Sequence, residues 1–203
     1  MAQRTLFTVG HSTRRWAEFV ALLKTWKIEV LVDVRTLPRS RAFPWFTKQR
    51  MARALRKAAI EYVHIPTLGG LRKSRKDSKN TGWQNARFRA YADYMQTAEF
   101  EDGLQELNAL RKKRRAPRVC MMCSEAVWWR CHRRMIADAE TARGIPVKHI
   151  MSATSATRHE LTPFAVVKKR SGARVRASVG GRGPVITYPA KSNTISKRRP
   201  AHR

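Results

Sequence analysis

Acidic residues are scarce in this chain. Only 14 Asp and Glu stand against 43 Lys and Arg, a formal net charge of +29. Such an excess favours a polyanionic partner, nucleic acid or a nucleotide ahead of an acidic lipid surface. It gives non-specific affinity without specifying a reaction. The plain alternative is a solvated cationic surface. Cysteine is scarce too. Cys120, Cys123 and Cys131 fall within twelve residues, which excludes a disulfide framework and points to a reducing compartment. No apolar run reaches the length of a membrane span. Met1-Ala2-Gln3-Arg4-Thr5 lacks the apolar stretch of a signal peptide, so a cytoplasmic location off the membrane is expected. Neither a Walker-type loop nor a Gly-x-Gly-x-x-Gly fingerprint is present, and the sequence leaves any cofactor unknown.

What is present suits one domain with an appendage. A chain of 203 residues, 42% hydrophobic, can bury a core without disulfides. Thr5 to Val9 reads as a strand ended by Gly10-His11-Ser12, and Trp16, Phe19, Val20 and Leu23 then recur at helical spacing. Ile28 to Val34 is nearly continuous in apolar residues, as in a parallel strand covered on both faces. Pro38 and Pro44 mark a loop. Thr47 is a candidate cap for a helix through Ala58 with Met51 and Leu55 inward. Ile60 to Ile65 predicts a third strand, and Leu71 to Trp83 a long basic loop. Phe88, Tyr91 and Met95, then Phe100, Leu104 and Leu107, mark two helices in succession. Arg118 to Met122 predicts a fourth strand. A helix follows from near Cys131 to Ala142, closed by Gly144, and Val147 to Met151 predicts a fifth strand. Alternation of this kind specifies an α/β fold: a mainly parallel sheet of about five strands with helices on both faces. Residues 1–152 form this domain. Residues 153–203, with 12 Lys and Arg and one acid, form a basic C-terminal extension. Leu161 to Val167 and Val185 to Tyr188 are expected to dock as a small hairpin, and residues 197–200 to be disordered.

Ligands of an open parallel sheet bind outside the carboxyl ends of its strands, and the polar motifs fall there. Gly10 permits close backbone approach. His11 suits acid–base work near neutral pH, or equally a structural hydrogen bond. Ser12 either binds ligand or, more plainly, caps the next helix. Asp33 and Arg35 share one side of the second strand's end. They form either an internal ion pair, or a base and a bidentate phosphate ligand. Gly69 and Gly70 follow the third strand. Cys123-Ser124-Glu125 follows the fourth, where Glu125 offers a general base or a ligand for a sugar hydroxyl.

Cys131, beside Arg130, Arg133 and Arg134 at a helix start, suits a thiolate nucleophile, or else an inert packing residue. His132 and Arg133 join it as ligand-binding candidates. Trp128 and Trp129 can stack on a base or close a hydrophobic lid. The spacing Cys-x2-Cys-x7-Cys-His also invites zinc. Cys131 and His132 would splay on a helix, however, and Cys120 points away from Cys123, so no metal ligand set is expected.

These motifs resemble the family catalogued as domain of unknown function 488. The likeness runs through Thr8-Val9-Gly10-His11-Ser12, Asp33-Val34-Arg35 with Pro38, Tyr62-Val63-His64-Ile65-Pro66, and Leu68-Gly69-Gly70. It continues through Cys123-Ser124-Glu125 and Cys131-His132-Arg133 to His149, covering residues 5–152. It implies an α/β fold with a polar cluster at these positions, and no reaction. Leu161 to Phe164 and Val185 to Pro189 resemble the family's short tail, with residues 168–183 as a basic insertion. Two functions follow as expectations. One is an enzyme acting on a nucleotide or nucleic-acid base, with His11, Asp33, Glu125 and Cys131 as its catalytic set. The other is a non-catalytic nucleic-acid-binding or regulatory protein gripping phosphates through residues 71–79 and the tail.

Overall fold

The computed structural model describes residues 5–39, 42–112, 117–168 and 183–190. Residues 197–200 and the body of the basic insertion lie outside the described residues. Strands β1 (Leu6–Gly10), β2 (Val30–Asp33), β3 (Glu61–His64), β4 (Val119–Cys123) and β5 (Val147–Ile150) run parallel. The order across the sheet is β3-β2-β4-β1-β5, with β6 (Ala156–Arg158) added antiparallel on β5. The sixth strand is not apparent in the sequence. It is three residues long and mostly exposed, so it has no hydrophobic pattern to read.

β1, β2 and β4 are buried at every position, which is why they read as apolar runs. Their alternating side chains feed two cores. Phe7, Val9, Leu31, Cys120 and Met122 pack with Phe19 and Leu23 of α1 (Trp16–Thr25) and with Met51 and Leu55 of α2 (Lys48–Lys57). Leu6, Val30, Val32, Met121 and Cys123 meet the other three helices. These are α3 (Ala86–Tyr94), α4 (Ala98–Arg111) and α5 (Arg133–Ala142), which supply Tyr91, Phe100, Leu104 and Met135. Each such fully buried apolar side chain contributes roughly 1.5–3 kcal/mol before entropy is charged against it.

β4 therefore sits between β2 and β1 while its chain exits to the opposite face. That reversal is a topological switch point, where the ends of neighbouring strands leave a crevice. A second sheet pairs β7 (Val166–Lys168) with β8 (Val185–Thr187) antiparallel, the hairpin expected from the sequence. No helix among the described residues is long and apolar enough to cross a membrane.

Two local expectations need correction. Ser12 does not cap α1. Arg15 takes that place, its backbone N–H paired with the Glu18 carboxylate, while Ser12 turns the chain with a left-handed φ of 51°. Thr47 stands at the start of α2, but its hydroxyl donates back to the carbonyl of Pro44 and caps nothing.

Candidate functional site at the strand carboxyl ends

The polar motifs do converge at the switch point, but the sheet divides them. Period-two alternation sends His11, Asp33 and Arg35 to the α2 face, and Cys123 to the α5 face with Cys131, His132 and Arg133.

On the α2 face, Arg35 grips Asp33 in bidentate fashion, Nε to Oδ1 at 2.9 Å and NH2 to Oδ2 at 2.6 Å. Tyr62 donates its hydroxyl to the same Oδ2 at 2.8 Å, and the backbone N–H of Arg35 reaches Oδ1. Both carboxylate oxygens are engaged and Asp33 is fully buried. Arg35 NH2 also donates to the carbonyl of Phe46, which ties the loop after β2 to the start of α2. Arg35 NH1 faces His11 Nε2 at 3.4 Å.

His11 is 2% exposed and stacks on Phe46, ring centroids 4.1 Å apart. Its Nδ1 lies 2.9 Å from the carbonyl of Ser12. A carbonyl only accepts, so Nδ1 carries the proton and Nε2 keeps a lone pair. Burial, reinforced by the Arg35 and Arg133 charges, lowers the imidazole to about 4. His11 is therefore neutral at physiological pH. Above it opens a cleft of about 420 Å3 lined by His11, Ser12, Arg35, Arg39, Ser124 and Glu125 among others. Of its described lining residues, Arg35 and Arg39 are positive and Glu125 is negative.

On the α5 face, Cys123 Sγ lies 3.9 Å and Cys131 Sγ 3.7 Å from His132 Nδ1. Arg133 is 1% exposed. It donates from Nε to Cys131 Sγ at 3.4 Å, from NH1 to the Thr8 hydroxyl and from NH2 to the carbonyl of Glu125. No carboxylate among the described residues pairs with it, and an uncompensated buried charge is costly. The Cys131 thiolate supplies the counter-charge. Burial opposes that ionisation, but the Cys123 S–H bond and Arg133 outweigh it and hold the thiol well below its ordinary value. Cys123 donates that hydrogen bond and is itself pushed well up, by the bond and by burial.

The glycines serve the chain's own packing. A Cβ at Gly10 would overlap the Glu125 carbonyl, one at Gly69 would overlap Thr36, and one at Gly70 would meet the His132 ring. They let the loops after β1, β2, β3 and β4 close on one another. Glu125 itself is exposed at the rim. Trp128 stacks on His149 at 4.2 Å, while Trp129 is exposed.

The model of the family described as Domain of unknown function DUF488 matches residues 15–139. The chain belongs to the DUF488 family. The matched span takes in Asp33, Arg35, both loop glycines and the whole Cys123–Arg133 segment, and starts just after Gly10-His11-Ser12. No curated protein and no solved structure matches the chain.

This DUF488 chain also holds a buried relay that sequence reasoning missed. From Arg133 it passes to the Thr8 hydroxyl, on to His149 Nδ1 at 2.8 Å, from His149 Nε2 to His159 Nδ1 at 3.0 Å, and from His159 Nε2 to Asp138 at 2.9 Å. Thr162 and Tyr188 donate to the same Asp138 carboxylate. Thr8 reads as an ordinary strand former, and the other members are far apart in sequence; the signals that could have found it are His149, already part of the family likeness, and Asp138, one of two fully buried acids of α5.

Proposed function

We propose that this protein is an enzyme acting on a nucleotide or nucleic-acid base held in the cleft over the strand carboxyl ends. The observation that carries this reading is the His11–Arg35 pair. A neutral imidazole has its Nε2 lone pair beside a guanidinium whose other nitrogens are fixed by Asp33 and Phe46. His11 then serves as the proton acceptor, and Arg35 NH1 with Arg39 binds the anionic part of the substrate. The long 3.4 Å contact between Nε2 and NH1 is the kind that a substrate oxygen replaces on binding. Glu125 at the rim handles a second proton or a sugar hydroxyl. Asp33 acts through Arg35 as a positioning residue, and Cys131 lies below the cleft on the far side of the sheet.

A second reading, nucleic-acid binding without turnover, draws support from α2. Lys48, Arg50, Arg53, Arg56 and Lys57 are exposed on a helix with no acid, and Trp45 beside them is 54% exposed. The basic loop contributes less than its composition suggests. Arg72 bonds the carbonyls of Thr67 and Gly69 and lies over Tyr94, while Arg75 pairs with Asp77.

The test incubates the full chain with nucleoside monophosphates and short single-stranded DNA and RNA, and follows products by mass. Turnover that falls by about 10²–10⁴ in His11→Ala, with the variant still folded at the assay temperature, is the expected result. Salt-sensitive binding with no product from any of these substrates favours the second reading and overturns the first.

A further inference from the structure

We propose that Cys123, Cys131 and His132 form a binding site for a soft divalent cation of the zinc class. This inference does not depend on the nucleotide reading. The three donor atoms, Sγ, Sγ and Nδ1, lie within 4.8 Å of one another, and the sulfur-to-nitrogen separations are 3.9 and 3.7 Å. A tetrahedral ion with bonds of about 2.3 Å to sulfur and about 2.0–2.1 Å to nitrogen holds such donors roughly 3.5–3.6 Å apart. The two sulfur-to-nitrogen separations need to contract by only a few tenths of an ångström, and the sulfur-to-sulfur separation of about 3.8 Å that such an ion sets falls within the 4.8 Å that holds all three donors.

The expectation that Cys131 and His132 would splay assumed that both lie on the helix. They do not. α5 begins at Arg133, Cys131 is extended with φ −127° and ψ 148°, and His132 is the residue before the first turn. The chain thus turns Nδ1 back towards both sulfurs. Cys120 is no part of the set, being packed among the α1 and α2 residues on the opposite face.

The surroundings suit a metal. His132 Nε2 is 3.0 Å from the carbonyl of Val34. The carbonyl can only accept, so Nε2 bears the proton and Nδ1 presents its lone pair to the sulfurs. Gly70 leaves room for the ring, and Tyr91 packs beside it at 5.1 Å. Arg133 donates to Cys131 Sγ from outside, an outer-shell bond of the kind that orients a metal thiolate. Three protein donors leave a fourth position for water or a substrate oxygen, the arrangement of reactive rather than purely structural sites. Ser124, exposed and lining the cleft, has its hydroxyl 4.0 Å from Cys123 Sγ.

The experiment adds Co2+ to the reduced, metal-stripped full chain and records the absorption spectrum. The site predicts one cobalt per chain, a thiolate-to-cobalt charge-transfer band, visible bands of tetrahedral intensity, and displacement by Zn2+. Cys120→Ala should leave the spectrum unchanged. Cys131→Ser and His132→Ala should each weaken cobalt binding by more than about 100-fold, since outer-shell partners alone are worth about 10–100-fold. Those two variants can fail to fold, so wild type and Cys120→Ala carry the decision. A wild type that shows no thiolate-to-cobalt band, or one whose band is lost in Cys120→Ala, overturns the proposal.

Discussion

His11 shows how much a single residue's setting decides. Its neighbours in sequence mark a turn, but its neutrality comes from Phe46 and Arg35, which the chain brings in from elsewhere. Because the folded imidazole is lowered from 6.5 to about 4, the folded state binds fewer protons than the unfolded chain between those values. The stability this provides is complete above pH 6.5 and is lost as pH falls towards 4, to the extent of about 3 kcal/mol. Urea unfolding of wild type against His11→Gln should show wild type losing that much more on going from pH 7 to pH 4. A difference that stays constant with pH would mean that His11 is not held neutral by the fold. At the same scale, the Asp33–Arg35 pair was legible from its spacing, because strand side chains two apart share a face. Tyr62 as a third partner was not, since it arrives from a separate strand.

At the scale of elements, the strands and helices were readable because burial on both faces leaves long apolar runs in β1, β2 and β4, and because α1, α3 and α4 keep apolar residues at helical spacing. Two boundaries were not readable. The start of α5 depends on His132 turning towards the cysteines, which no local propensity announces, and β6 is too short and exposed to carry a pattern. α5 also anchors the segments beyond β5 through Asp138, whose carboxylate accepts from Thr162, Tyr188 and His159. Asp138→Asn replaces one acceptor oxygen of a fully buried network by a donor, which should cost about 1–3 kcal/mol for each buried donor left unpaired and expose residues 160–168 to limited proteolysis. Tyr188→Phe, losing one bond to a charged group, should cost about 1.5–3 kcal/mol. Equal, small effects in urea denaturation would show that the network does not hold these segments.

Over the whole molecule, the sequence placed the polar motifs at one end of the sheet but could not show that they lie on two faces of it. Strand order decides that, since β4 enters between β2 and β1 and sends its chain the other way. The outcome is an open cleft bearing His11, Arg35 and Glu125, and behind it a closed cluster of two cysteines and a histidine. The cationic excess is likewise redistributed by the fold, with Arg35, Arg72 and Arg133 turned inward and α2 left exposed beside the cleft. The most direct test of the site is nuclear magnetic resonance of the His11 imidazole as a nucleoside monophosphate is added. A saturable change at His11 Nε2 and at the amides of Ser124 and Glu125, weakened in Arg39→Ala, is the predicted result. Resonances of His11 that stay fixed while only α2 responds would contradict it.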